Sequence, residues 1–195
     1  MKIFFLIDIS GSMQGAKIQA LNDSMENIMS ELRSHVGAEQ DEISVLLFSR
    51  NARWTNPVAL PINQYSWTRV EASGMTSLGK ACILLEDRLI SDKGNKKRII
   101  ILISDGCPTD DFDEGFNELE RNHHFQNSIR FSIAIGQDAS IDVLTKFAGE
   151  KERVHSITSM DSFLDILSNI LASQRSESKI QNCTSKQTDE DDEWA

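Results

Sequence analysis

The stretch FFLIDISGSMQGAKIQALNDSM, residues 4–25, predicts a buried strand that is followed directly by a turn and an amphipathic helix. The apolar run into Asp8 favours β-structure. Asp8, Ser10 and Ser12 stand on alternate positions of the turn, and the helical pattern begins near Ala16. Three oxygen-bearing side chains in one turn are compatible with a plain turn, a helix cap, a nucleophile or part of a metal site.

The same order of strand and helix repeats along the chain. Continuous β-branched and aromatic runs are typical of parallel strands covered on both faces, and apolar residues at three-and-four spacing are typical of helices. The predicted strands are 3–8, 43–49, 98–105, 129–136 and a short one at 153–157, and the predicted helices are 16–34, 78–89, 112–124, 140–148 and 160–174. This alternation predicts an α/β fold with a doubly wound, mostly parallel central sheet and helices on both faces.

One stretch interrupts the alternation. The sequence NARWTNPVALPI, residues 51–62, starts with turn residues and then offers a short segment that can pair antiparallel to the preceding strand. Pro57 has no backbone N–H, so this segment suits only an edge of the sheet. We therefore expect one short antiparallel edge strand.

The composition favours one domain followed by a tail. The chain has 195 residues, of which 39% are hydrophobic and 26% are charged, and this is enough for one well-packed domain. We place that domain at residues 1–174. Residues 175–195 are poor in apolar side chains and carry an acidic run, which predicts a disordered tail. A docking peptide that ends in Trp194 is the alternative for this tail.

Charge and cysteine usage limit the partners and the compartment. A formal net charge of −10 argues against nucleic acid or an anionic membrane as the main partner. The three cysteines, Cys82, Cys107 and Cys183, are far apart and lack a CxxC spacing, so we expect neither a disulfide framework nor a zinc site. We also find no signal-peptide core and no run of about 18 apolar residues. These features predict a cytoplasmic protein.

Oxygen-bearing residues also stand in two later turns. The predicted strand that runs into SDGCPTDD contributes Asp105, and the segment ASGMTSLG before a predicted helix contributes Thr76 and Ser77. Ligands of open α/β sheets bind at the carboxyl ends of the strands. The three turns can meet there only if the first strand, which ends at Asp8, is a neighbour of the strand that ends at Asp105.

These motifs resemble a known family. D-x-S-x-S after the first strand, a threonine in a Gly-Met-Thr loop and a later Ser-Asp-Gly resemble the metal-ion-dependent adhesion site (MIDAS) of von Willebrand factor A (VWA) domains. The matching positions here are Asp8, Ser10, Ser12, Thr76 and Asp105. Within the family, the stretches LIDISGSMQGAKIQALN, GMTSLGKA and SDGCPTDDF look like the bacterial tellurite-resistance-associated VWA proteins of the TerY type.

The resemblance implies a divalent cation at these five positions, Mg²⁺ with Mn²⁺ or Ca²⁺ as alternatives. In the family, the serines and the threonine are the usual direct ligands, and the aspartates often bind through waters. The chemistry agrees, because Mg²⁺ prefers oxygen ligands and neutral hydroxyls do not cancel its charge. One coordination position is then left for an oxygen from outside, and the helix N-terminus near Ala16 favours an anion there.

The function implied by the resemblance is a protein-interaction module and not an enzyme. A protein partner would supply an acidic or phosphorylated residue to the metal. A TerY-like setting also implies a Ser/Thr kinase and a phosphatase as partners, with this chain as a scaffold or phosphorylation target in a bacterial stress-response or defence system. In related domains, metal occupancy is coupled to movement of the last helix, which here is 160–174.

An enzyme is the alternative function. Asp8 after a first strand, with Asp105 on a later one, suits a Mg²⁺-dependent phosphotransferase or phosphatase, but the haloacid-dehalogenase chemistry wants a second carboxylate where Ser10 stands. A serine hydrolase would need a G-x-S-x-G motif, which is absent, and His155 is its one remote candidate base. Taken alone, DISGS would be better explained as a capped turn before a helix.

Several nearby residues have a plain structural role as their first interpretation. Thr109, Asp110 and Asp111 precede a predicted helix and suit capping better than partner contact. Cys107 suits a small structural residue better than a site contact. We expect packing in the core or at an edge for Trp54 and Trp67, with an interface role as the alternative, and surface positions for His123 and His124.

Overall fold

The structure, a computed structural model, describes residues 1–34, 38–105, 107–137, 139–157 and 164–174. Within these ranges the chain alternates between strands and helices. The strands are β1 (Lys2–Asp8), β2 (Glu42–Phe48), β3 (Ala52–Trp54), β4 (Leu60–Pro61), β5 (Arg98–Ser104), β6 (Ile129–Ile135) and β7 (Val154–Ile157). The helices are α1 (Ala16–Ser34), α2 (Leu78–Ser91), α3 (Phe112–Arg121), α4 (His123–Gln126), α5 (Ile141–Ala148) and α6 (164–174).

The strands form one sheet in the order β3-β2-β1-β5-β6-β7, with β4 also paired to β2. β1 runs parallel to both β2 and β5, and the pairs β5–β6 and β6–β7 are parallel as well. β3 and β4 run antiparallel to β2. The predicted α/β fold with a mostly parallel, doubly wound sheet is confirmed.

The antiparallel edge consists of two short pieces and not of one strand as expected. β3 pairs with the end of β2 and β4 with its beginning. The chain between them bends through Pro57, which cannot donate to a ladder. Pro61 lies opposite Glu42, at the edge position where a proline is tolerated.

Alternate residues of the central strands fill two cores, one on each face of the sheet. Ile3, Phe5 and Ile7 of β1 pack on the side of α1 and α6. Phe4 and Leu6 pack on the side of α2, α3 and α5. Every residue of β1 and of β5 is buried, which explains why these strands appear in the sequence as continuous apolar runs.

One helix is divided, unlike the prediction. The helix predicted at 112–124 is divided at Asn122, whose side-chain oxygen accepts hydrogen bonds from the backbone N–H groups of His124 (2.9 Å) and Phe125 (3.3 Å) and so caps α4. Of the helix predicted at 160–174, residues 164–174 are described and helical. The proposed tail at 175–195 lies outside the described residues. No helix in the described ranges is long and apolar enough to cross a membrane.

Candidate metal centre

The candidate site lies where the strand order reverses. β1 pairs with β2 on one side and with β5 on the other; β2, β3 and β4 lie on the first side, and the chain then crosses to the second side to form β5, β6 and β7. The two strands are parallel and in register, with Ile7 opposite Ile103, and their carboxyl ends therefore lie side by side. The turns at Asp8 and Asp105 could meet only if β1 and β5 were neighbours, and the structure shows that they are.

The turn after β1 brings its oxygens together. The Asp8 side chain is fully buried; its Oδ1 accepts from the backbone N–H of Ser10 (2.8 Å) and its Oδ2 from the hydroxyl of Ser104 (2.6 Å). The hydroxyls of Ser10 and Ser12 are 2.9 Å apart. Ser10 is buried and Ser12 is exposed, so this cluster of oxygens reaches the protein surface at Ser12.

The loop that carries Thr76 is bonded to this first turn. The backbone N–H of Gly11 donates to the carbonyl of Gly74 (2.9 Å), and the N–H of Ser73 donates to the carbonyl of Ile9 (2.8 Å). A Cβ on Gly11 would lie 3.2 Å from the Gly74 oxygen, so the two backbones approach closely. Thr76 is buried, and no described residue hydrogen-bonds to its hydroxyl.

The turn after β5 holds the Thr76 loop from the other side. The Thr109 hydroxyl accepts from the N–H of Thr76 (3.0 Å), and the Thr109 N–H donates to the Thr76 carbonyl (2.8 Å). Asp110 accepts from the N–H groups of Gly79 (3.1 Å) and Lys80 (3.0 Å), at the start of α2. Thr109 and Asp110 therefore join the second and third turns into one unit.

The expected capping role is confirmed for Asp111 but not for Thr109, whose hydroxyl bonds to the backbone of Thr76. Asp111 accepts from the N–H of Glu114 (3.0 Å) and caps α3, the helix that it precedes. Asp110 caps α2 instead, a helix that lies earlier in the sequence. The prediction that Asp110 caps the helix after it is therefore wrong, because the packing of α3 against α2 brings Asp110 to the start of α2.

The electrostatics of the site fit a cation. Burial raises the pKa of the Asp8 carboxyl; hydrogen bonds from Ser104 and Ser10 oppose this shift, and the nearby charge of Asp105 adds to it. Asp105 is also buried. Within the described residues, neither carboxylate has a Lys, Arg or His ion-pair partner. Buried carboxylates are normally paired or bound to a metal, so a divalent cation suits this pair.

The donor set suits a hard cation. No group of three or more His, Cys, Asp or Glu side chains in the described ranges could hold a metal by itself. At this site two carboxylates are accompanied by three hydroxyls, from Ser10, Ser12 and Thr76. Oxygen ligands of this kind suit a hard divalent cation, whereas structural zinc sites mostly use nitrogen and sulfur ligands.

Among the residues that the structure describes, no nucleophile and base are brought together. Among the described residues, no histidine hydrogen-bonds to Ser10 or Ser12. His155 is half-buried within β7, its ring centroid lies 6.0 Å from that of Phe131, and burial lowers its pKa. The serine hydrolase interpretation therefore has no geometric support in the described structure.

The other residues singled out in the sequence lie where packing places them. Trp54 packs edge-to-face on Phe4, with centroids 6.5 Å apart, and the Trp67 indole N–H donates to Asn22 (3.1 Å), so both have the expected packing role. His123 is exposed as expected, whereas His124 is half-buried; Cys107 is exposed, and its backbone N–H donates to Asp105 (3.4 Å).

Ser104 is a contact of Asp8 that the sequence did not predict. Its hydroxyl makes the shorter of the two hydrogen bonds to Asp8, although 96 residues separate them. A serine at the end of a buried strand, directly before Asp105, was the available signal. It acquires meaning only when β5 is known to be the neighbour of β1.

Comparison with curated proteins gives a consistent set of relatives. Human (Homo sapiens) inter-alpha-trypsin inhibitor heavy chain H2 is 29% identical over 171 residues, covering 78% of this chain and 17% of that protein. Heavy chain H4 from Bos taurus is 28% identical over 167 residues, covering 76% and 17%. The chain thus spans 17% of the length of these two relatives.

Solved structures share the fold at low identity. The pilus adhesin SpaC from Lactobacillus rhamnosus GG, in an open conformation, matches with a TM-score of 0.71 at 12% identity, over 87% of this chain and 29% of that chain. Proximal thread matrix protein 1 from the mussel byssus, with a zinc-occupied MIDAS motif, matches with a TM-score of 0.64 at 16% identity, over 87% and 44%. The family model of the von Willebrand factor type A domain matches residues 2–170. Because that match covers most of the sequence, the chain belongs to the von Willebrand factor type A domain family.

Proposed function

We propose that this chain is a metal-dependent protein-interaction module. Mg²⁺, with Mn²⁺ or Ca²⁺ as alternatives, would be held by the five residues Asp8, Ser10, Ser12, Thr76 and Asp105. The observation that carries the proposal is the pair of buried carboxylates that have no cationic partner in the described ranges and lie beside hydroxyls at the point where the strand order reverses.

Each residue would have a distinct part in binding. Asp8 and Asp105 would supply the negative charge, directly or through water. Ser10, Ser12 and Thr76 would supply neutral oxygens. A cation with few charged ligands stays electrophilic, so a carboxylate or phosphate oxygen of a partner protein could complete its coordination shell. The exposed position of Ser12 supports access for that oxygen.

Isothermal titration with MgCl₂ tests the metal site. We expect one binding event in the wild type and a loss of affinity of about tenfold or more in Thr76→Ala, since this removes a ligand worth about 1.4 kcal/mol or more. Ser156→Ala, an exposed serine on β7, is the matched control and should bind as the wild type does. Equal affinity in Thr76→Ala and the wild type would refute the ligand set.

A phosphotransferase or phosphatase that uses Asp8 is less well supported. Both oxygens of Asp8 already accept hydrogen bonds, and Ser10 stands where the general acid would be needed. We therefore propose a module without catalytic activity. Hydrolysis of p-nitrophenyl phosphate that is present in the wild type and lost in Asp8→Asn would reverse this choice.

The cellular setting rests on the motifs alone. GMTSLGKA and SDGCPTDDF support a TerY-like role in the cytoplasm, as a scaffold or phosphorylation target of a Ser/Thr kinase and phosphatase in a stress-response system related to tellurite resistance. A pull-down from the native host in MgCl₂, repeated in EDTA, tests this setting. Recovery of a kinase or phosphatase in MgCl₂ alone would support it.

A further inference from the structure

We propose that a groove beside the metal site binds the part of the partner chain that adjoins its metal-bound acid, and that Arg53 pairs there with a second acidic side chain. The groove has a volume of about 620 Å³ and lies between β3 and the loop at 65–73. This inference rests on the proposed function and deepens it, because it specifies the chemistry of the partner.

The groove adjoins the first two turns of the candidate metal centre, those that follow Asp8 and precede Thr76. Ile9, which directly follows Asp8, lines the groove together with Ser73. These two residues are joined by the hydrogen bond from the Ser73 N–H to the Ile9 carbonyl (2.8 Å) that also fixes the Thr76 loop. A peptide whose acidic side chain reaches the metal would therefore pass directly into the groove on one side of that residue.

Arg53 supplies a positive charge on the β3 wall of the groove. It is exposed and lines the groove, and it lies opposite Leu47 of β2, which lines the same groove. Residues opposite each other in an antiparallel pair point to the same face of the sheet. Arg53 makes no hydrogen bond or ion pair with any described residue, so its guanidinium is available to a ligand.

The opposite wall, formed by the loop at 65–73, offers no unpaired positive charge among the described residues and carries an exposed carboxylate. Arg69 is already neutralised by Asp23 (2.8 Å) and Glu26 (3.1 Å) on α1. Glu71 lines the same wall and is exposed. An acidic side chain in the groove would be repelled by Glu71 and attracted by Arg53. It should therefore lie against the β3 wall.

The groove is held open before any partner binds. Asn22 on α1 holds the wall formed by the loop at 65–73. Its side chain donates to the Val70 carbonyl (2.9 Å) and accepts from the Val70 N–H (2.9 Å). The hydroxyls of Thr55 and Tyr65 lie 3.4 Å apart and connect the two walls. Because the loop at 65–73 is already fixed, it would lose little conformational entropy when a peptide binds.

A displayed library of random peptides, each with one fixed glutamate, tests the inference. It is selected on the Mg²⁺-loaded full chain, in the wild type, in Arg53→Gln and in Arg121→Gln, a matched control at the far end of α3. We expect peptides recovered on the wild type to carry a second Asp or Glu at a constant distance from the fixed glutamate. This preference should persist in Arg121→Gln and disappear in Arg53→Gln.

A selected peptide then gives the affinity by fluorescence anisotropy. Arg53→Gln should weaken binding by about tenfold, the effect of losing one charge-assisted pair. Replacement of the second acid by alanine should weaken wild-type binding equally and leave Arg53→Gln unaffected, as a double-mutant cycle requires.

The outcomes separate the two proposals. EDTA-sensitive selection without a second acid, or with a second acid that persists in Arg53→Gln, would overturn the groove assignment and leave the metal-bridge function standing. Selection that EDTA does not affect would overturn the proposed function and this inference with it.

Discussion

Asn22 shows how much one side chain contributes to the groove wall. It is buried and bonds to the N–H and the carbonyl of Val70 and to the indole N–H of Trp67. Asn22→Ala would leave these three polar groups without their partner. We expect the free energy of unfolding to fall by about 2–3 kcal/mol, because each unsatisfied buried group costs about 1–3 kcal/mol and water will reach some of them. Urea unfolding measures the change.

Gln19→Ala is the control for Asn22. Gln19 lies on the same helix, is exposed and makes no side-chain hydrogen bond to a described residue, so its replacement should change stability by less than about 0.5 kcal/mol. Equal stability of the two variants would mean that the loop at 65–73 does not depend on Asn22.

The residues of the candidate metal centre can be recognised from the sequence, whereas the residues around the groove cannot. Asp8 and Asp105 stand at the ends of apolar runs, so their pattern can be recognised from the chain alone. Asn22 occupies an ordinary polar position in an amphipathic helix, and Arg53 is one arginine on a short strand. Their roles come from the loop and the strand that fold against them.

At the scale of elements, the contact between α2 and α3 positions the second and third turns. A Cβ on Gly115 would lie 2.2 Å from the carbonyl oxygen of Gly79, and a Cβ on Gly79 would lie 2.4 Å from the carbonyl oxygen of Asp111. No side chain fits at either position. The close approach of the helices lets Asp110 reach the start of α2.

Gly115→Ala should therefore push α3 away from α2. We expect a loss of about 2 kcal/mol or more in the free energy of unfolding, as for an overpacked core, despite the better helix propensity of alanine. Because Thr109 and Asp110 connect this contact to Thr76, we also expect weaker Mg²⁺ binding. Urea unfolding and titration with MgCl₂ measure the two effects.

Asn117→Ala provides the comparison on the same helix. Asn117 is exposed, so alanine there should leave both stability and Mg²⁺ affinity close to the wild-type values. If Gly115→Ala bound Mg²⁺ as tightly as Asn117→Ala, the helix contact would be a stability feature without influence on the site.

For the whole molecule, metal binding should stabilise the fold as a unit, since the three turns converge only in the folded chain. A ligand at 100 times its Kd adds about 2.7 kcal/mol to the free energy of unfolding. For a chain of this length, that corresponds to a rise in Tm of about 5–10 °C. Thermal unfolding followed by circular dichroism, with and without MgCl₂, measures this rise.

Salt must be separated from specific binding in that measurement. The net charge of −10 means that screening alone can raise Tm, so NaCl at matched ionic strength is the reference. Asp105→Asn, compared with and without MgCl₂, should show only the screening effect. A Mg²⁺-specific rise that persists in this variant would argue against Asp105 as part of the site.

The sequence by itself determined the class of fold and predicted the residues of the candidate metal centre. Strands covered on both faces need continuous apolar runs, and the turns at their ends are free to carry polar side chains, so both features are local and visible in the chain. The tertiary structure decided that β5 lies beside β1, that Asp110 caps α2 and that Arg53 faces a groove next to the candidate metal centre. These features depend on contacts between residues far apart in sequence, and the strand order and the packing of the helices determine such contacts.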